Sequence, residues 1–85
     1  MTWTVIVGKS ARKSLVKLPA KDLDKIRTAL LAMAADPFSG DTIKLEGESN
    51  RWRRRVGSYR IFFSVDGTSR KVEVSAIVRR TSTTY

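Results

Sequence analysis

Two runs of alternating residues, Trp52 to Val56 and Tyr59 to Val65, separated only by Gly57-Ser58, constrain this chain more than any other feature. Such a pattern predicts two antiparallel strands joined by a tight turn. In the second run Tyr59, Ile61, Phe63 and Val65 are apolar and share one face, whereas Arg60, Phe62 and Ser64 share the other. In the first run Trp52, Arg54 and Val56 form one set and Arg53 with Arg55 the other. Five arginines thus lie between Arg51 and Phe63. Arginine keeps its proton in a protein and presents a planar fork of donors, so a sheet face carrying Arg53, Arg55 and Arg60 suits phosphates. Arg54 shares a face with apolar neighbours, and snorkelling along Trp52 would bring its charge to the sheet rim.

The rest of the chain supplies a layer for the apolar face. Alternation at Trp3, Val5 and Val7 predicts an opening strand that ends at Gly8. Ser10 is a candidate cap for a helix reaching Leu18, where Pro19 interrupts it. Between Asp22 and Ala35 the residues Leu23, Ile26, Leu30, Met33 and Ala34 recur at helical spacing, with acids in the first turn and Asp36-Pro37 at the end. A short strand over Thr42 to Leu45, a hairpin signal at Asp66-Gly67 and a valine-rich strand over Lys71 to Val78 complete the order. The predicted fold is α+β. A twisted antiparallel sheet of three to four strands carries an N-terminal helical hairpin on one face, in one domain over residues 1–85. The expected core is Val5, Leu15, Leu18, Leu23, Ile26, Leu30, Tyr59, Ile61, Phe63, Val74 and Ile77.

Charge narrows the partners. Seventeen Lys and Arg against eight Asp and Glu give a net charge of +9. The excess is concentrated in the second half: residues 1–41 carry seven basic and four acidic side chains, residues 42–85 ten and four. Such a balance points to nucleic acid, an anionic surface or an acidic protein. The chain has no cysteine, which excludes disulfides, thiolate metal sites and catalytic thiols, and no histidine, the commonest general base. No stretch approaches membrane-spanning length, so a cytoplasmic protein without membrane contact is the expectation.

The segments Lys44 to Gly47 (KLEG), Trp52 to Phe63 (WRRRVGSYRIFF) and Val78 to Tyr85 (VRRTSTTY) resemble the RelE/ParE superfamily of toxin–antitoxin toxins, with the RelE-like branch the better match. That resemblance implies a ribosome-dependent messenger-RNA endonuclease, needing no metal or cofactor and neutralised by a cognate antitoxin in a hetero-oligomer. It maps the two basic strand residues onto Arg53 and Arg55, the arginine of the Tyr-Arg pair onto Arg60, and the terminal tyrosine onto Tyr85. The late arginine falls on Arg80 or Arg79. Arg60, Arg80 and Tyr85 are then the catalytic candidates, and Lys44, Arg53, Arg55 and Arg79 the RNA-binding ones. The pattern often has lysines in place of Arg53 and Arg55, and an apolar residue in place of Arg54. ParE-like members of the superfamily instead inhibit DNA gyrase through protein contact.

RNA brings its own nucleophile, the 2′-hydroxyl, so alignment and charge stabilisation by preorganised arginines can carry much of such a reaction. Tyr85, whose phenol ordinarily titrates near pH ~10, could accept the hydroxyl proton if arginines favour its phenolate, or could stack on a base. Each candidate also has a plainer reading. Arg53 and Arg55 could be edge charges that deter aggregation, and Arg60 could pair with Glu73 across the sheet. Trp3 and Trp52 read as packing residues.

Overall fold

The computed structural model describes residues 2–47 and 50–79. Its elements are β1 (Thr4–Val7), α1 (Lys9–Val16), α2 (Ala20–Ala35), β2 (Thr42–Lys44), β3 (Trp52–Val56), β4 (Tyr59–Asp66) and β5 (Lys71–Arg79). The strands form one five-stranded sheet in the order β1-β5-β4-β3-β2. β2 through β5 pair antiparallel, as the hairpin signals require. β1 corrects the all-antiparallel expectation, because it pairs parallel with β5, Val5 opposite Val72 and Val7 opposite Val74. A parallel neighbour needs a long connection, and the chain between β1 and β5 provides it through both helices and the strands β2 to β4. The sheet is therefore mixed.

Both helix starts differ from the sequence expectation for a local reason. α1 begins at Lys9 rather than after Ser10, with Gly8 at the cap position and no side-chain cap. Gly8 donates its N–H to the Val74 carbonyl at 2.8 Å, and a Cβ there would stand 3.0 Å from that oxygen. The chain thus turns from strand to helix while still bonded to β5. At the next junction α1 ends at Val16, and Leu18 closes a tight turn by bonding Leu15. Pro19 then caps α2, its carbonyl accepting the N–H of Leu23 at 2.9 Å, so the proline that stops one helix starts the next.

Period-two alternation sets the core. Tyr59, Ile61 and Phe63 are buried against Ala11 of α1 and Ile26, Ala29 and Met33 of α2, joined by Val72, Val74 and Ile77 of β5. Val5, Leu15, Leu18 and Leu30 pack half-buried around this cluster, and Leu23 is half-buried. Val74 and Ile77 both face inward although they are three positions apart. The β4–β5 register shifts at Phe62/Phe63, which pair with Ala76 and Val74 and leave Ser75 as the extra residue. Such a bulge reverses the phase of a strand. Ser75 is tied in place by its hydroxyl, which donates to the Phe62 carbonyl at 3.2 Å.

Two contacts lock the sheet to the helices and to the loop after α2. Tyr59 donates its hydroxyl proton to Asp22 Oδ2 at 2.7 Å, across 37 positions of sequence. Arg54 points to the helix side, not along Trp52; its Nη1 bonds Ser39 Oγ at 2.9 Å. Gly40, at φ +70°, lies against that guanidinium, where a Cβ would come within 2.8 Å of Cζ. Phe38 of the same loop packs on Trp52, with ring centroids 4.7 Å apart and the planes tilted by 56°.

Gly40→Ala should therefore destabilise the fold by about 1–2 kcal/mol through left-handed strain, read as a lower urea midpoint with an unchanged m-value. The Tyr59 phenol is pushed above its ordinary value of 10.0, first by donating to Asp22, then by burial and by the Asp22 charge, against a smaller opposing effect of Arg79. A raised folded pKa adds stability that is complete below the ordinary value and lost as pH rises through the raised one. Urea midpoints measured against pH should fall more steeply on the alkaline side for the wild type than for Tyr59→Phe.

Candidate RNA-binding face

The sheet face opposite the helices carries the arginines. Register places Arg53 opposite Phe62 and Arg55 opposite Arg60, so these four residues share that face, and alternation adds Arg51 and Ser64. On β5 the same face presents Val78 opposite Arg60 and the small Ala76 opposite Phe62. No described helix covers it, since Ala11, Ile26, Ala29 and Met33 all pack on the Tyr59–Ile61–Phe63 side.

Two arginines standing directly across a sheet repel one another. Here Asp41 offsets the repulsion: its Oδ2 accepts from Arg55 Nε at 3.0 Å, while its carbonyl accepts the Arg55 backbone N–H at 2.9 Å. Both side chains are about half exposed, so the ion pair itself contributes only about 0–1 kcal/mol. Its effect is positional, because it draws Arg55 toward the loop after α2. Arg60 has no such partner among the described residues. The alternative pairing of Arg60 with Glu73 does not form, since Glu73 lies opposite Ser64 and Ile6.

The Nε atoms of Arg51, Arg53 and Arg60 are enclosed by protein yet have no hydrogen-bond acceptor among the described residues. Arg51 makes a single long contact, from Nη2 to Ser75 Oγ at 3.5 Å. The grouping of these three arginines on one surface concentrates permanent positive charge, which favours an anion. Arg51 was missed as a site residue because it precedes the strand; its parity with Arg53 was the available signal.

Other candidates lie elsewhere. Lys44 pairs with Trp52, so it sits on the helix side of the edge strand, away from Arg53 and Arg60. Arg79 pairs with Tyr59 and holds its guanidinium 5.9 Å from the centre of that ring, again on the helix side. There it borders a cavity of about 110 Å³ together with Asp22, Lys25 and Ser58. Arg80 and Tyr85 fall outside the described residues. A larger cavity, about 560 Å³, lies between β1 and α2 and is lined by Trp3, Val5, Val7 and Leu30. Its walls are mainly apolar and it does not adjoin the arginine face. Among the described residues no group of three or more acidic, His or Cys side chains could hold a metal ion.

Comparison with known proteins places this architecture. A family model described as the ParE toxin of the type II toxin–antitoxin system parDE matches residues 5–83. No curated protein matches the chain in sequence. Among solved structures, the RelE–RelB complex of Pyrococcus horikoshii OT3 is similar at a TM-score of 0.86 and 26% identity, covering 98% of this chain and 100% of that one. The RelBE2 complex of Mycobacterium tuberculosis is similar at 0.83 and 23% identity, over 94% of this chain and 100% of that one. A YoeB/ParE toxin of Agrobacterium tumefaciens follows at 0.77 and 20%, over 92% and 99%. The last two identities speak to fold alone. With nearly its whole length matched by the family model, the chain belongs to the ParE toxin family of type II toxin–antitoxin systems, within the RelE/ParE superfamily.

Proposed function

We propose that this toxin is a ribosome-dependent endonuclease that cuts messenger RNA in the cytoplasm and is neutralised by a cognate antitoxin. The observation that carries the reading is the grouping of Arg51, Arg53 and Arg60 on a sheet face that no described helix covers. Phosphate oxygens are the acceptors that match permanent, bidentate donors. In the reaction the 2′-hydroxyl oxygen bonds to the neighbouring phosphorus and the bond from phosphorus to the 5′-oxygen breaks. The proton leaves the 2′-oxygen for a base and an acid returns one to the 5′-oxygen. The products are a 2′,3′-cyclic phosphate and a 5′-hydroxyl.

Arg60 is assigned to the non-bridging oxygens, where charge accumulates, and Arg53 to an adjacent phosphate. Arg55 can join them by exchanging Asp41 for substrate. Arg80 is assigned to the leaving oxygen and Tyr85 to proton transfer or base stacking, both by resemblance alone. Lys44 and Arg79, which lie on the helix side, are assigned to more distant backbone or ribosomal contacts. The antitoxin reading draws on the similar solved complexes of RelE with RelB. Opposite charge on such a partner would speed its capture by a +9 toxin.

The matching family model favours a second reading, since its description is that of ParE toxins. In that case the protein inhibits DNA gyrase by direct contact. A translating extract and a gyrase supercoiling assay, run with the same purified toxin, separate the two. Cut transcripts with intact supercoiling support the nuclease; blocked supercoiling with intact transcripts overturns it.

Arg60→Ala should reduce cleavage by about 10²–10³-fold, by analogy with loss of an oxyanion donor, with an unchanged thermal midpoint. Arg53→Ala should weaken RNA binding and lower the slope of log affinity against log salt by about 0.7, the value for one single-strand phosphate contact. Single-turnover rates against pH decide the role of Tyr85. A proton-transfer role predicts that Tyr85→Phe loses most of the rate. A stacking role predicts that Tyr85→Phe is silent while Tyr85→Ala loses about 1–3 kcal/mol.

A further inference from the structure

Phe62 is a large aromatic residue on the face that the helices leave uncovered. It lies directly opposite Arg53, two positions from Arg60, with Arg51 further along the same face of the neighbouring strand. It is half-buried, whereas its neighbours along the strand, Ile61 and Phe63, are fully buried on the other side. An aromatic ring in that position gains nothing from the helical core. Its β5 neighbour is Ala76, too small to cover it, and the bulge at Ser75 sets that pairing. The hydroxyl of Ser75 holds the Phe62 carbonyl and meets Arg51 from the other side. Bulges beside binding surfaces commonly re-aim a side chain.

The surrounding cations do not claim the ring. The two cation–π contacts among the described residues are Arg70 over Trp3 and Arg79 over Tyr59, at 5.4 and 5.9 Å. Both rings share the helix side. On the arginine face, Arg51, Arg53 and Arg60 instead have enclosed Nε donors without acceptors. An aromatic plane framed by cations on an open sheet is how proteins hold single-stranded nucleic acid: rings stack on bases and cations take the adjoining phosphates. A protein partner would meet the same ring, but four arginines around it favour a ligand that carries one charge per residue and a flat apolar surface.

We propose that Phe62 is a base-stacking platform for single-stranded RNA, with Arg53 and Arg51 holding the phosphates beside the stacked nucleotide. This inference rests on the nuclease reading and adds its substrate form: the RNA must present an unpaired base to the sheet. Phe62 thereby contributes binding and orientation of the substrate rather than proton transfer.

The test is Phe62→Leu, which keeps an apolar side chain of strand-compatible shape, alongside Phe62→Trp. The probe is a short single-stranded RNA containing 2-aminopurine, free and as messenger on programmed ribosomes, whose fluorescence falls on stacking, with the same sequence as a duplex for control. Phe62→Leu should bind the single strand about 5- to 150-fold more weakly, the range for loss of one stacked base, and abolish the quenching. Phe62→Trp should restore both, and its indole emission should fall as RNA is added. In cleavage assays the Leu variant should raise KM more than it lowers kcat. Wild-type affinity and quenching in a folded Phe62→Leu protein would overturn the proposal. So would an indole in Phe62→Trp that does not respond to RNA, or a loss confined to antitoxin binding. The nuclease reading is judged separately by Arg60→Ala: cleavage lost there but unaffected at Phe62 leaves that reading standing and removes the platform.

Discussion

The structure depends on β4 having two unlike faces. Tyr59, Ile61 and Phe63 enter the core beneath the helices, while Arg60 and Phe62 stand on the opposite side. Because side chains alternate strictly along a strand, burying the first set fixes the second without further specification. Fully burying residues of this size gives about 1.5–3 kcal/mol each. A one-residue slip would lose that gain and would turn Arg60 into the core. The energy that holds the hydrophobic layer together thus also aims the arginine.

Permanent charge creates a problem that the fold solves locally. Arg53, Arg54 and Arg55 are consecutive, so one of them must face the helices. Arg54 takes that place and is received by the loop after α2, through the Ser39 hydroxyl and the bare backbone of Gly40. The next residue of the same loop, Asp41, reaches Arg55 on the other side of the strand. One short turn therefore handles two cations on opposite faces. Arg51, Arg53 and Arg60 have no carboxylate partner among the described residues, and their grouping makes this face a candidate for a ligand.

The position of Tyr59 joins scaffold and site. Its hydroxyl ties β4 to the first turn of α2 through Asp22, where a carboxylate also suits the helix dipole. The next residue, Arg60, faces the open side. Arg79 sits over the Tyr59 ring. The end of the sheet near the Gly57-Ser58 turn therefore presents arginines to both faces, separated by one strand's thickness. Arg60 thus stands on the open face from a backbone anchored by a long-range hydrogen bond.

Alternation in β3 and β4, the turn between them and the helical periodicity around Ile26 and Met33 are local patterns. The sequence by itself therefore determined both faces of the hairpin and the grouping of Arg53, Arg55 and Arg60. Tertiary structure decided what depends on a distant partner. The parallel pairing of β1 with β5 follows from where the intervening chain returns, and no residue of β1 encodes it. Arg54 found Ser39 and Arg55 found Asp41 across a loop whose path only packing sets. The bulge at Ser75 changed the phase of β5, so Arg79 joined Tyr59 instead of Arg60. Alternation counted straight from Val74 places Arg79 on the other face. An inserted residue leaves no visible signal in the sequence, because its effect lies in the register between two strands and not in either strand alone.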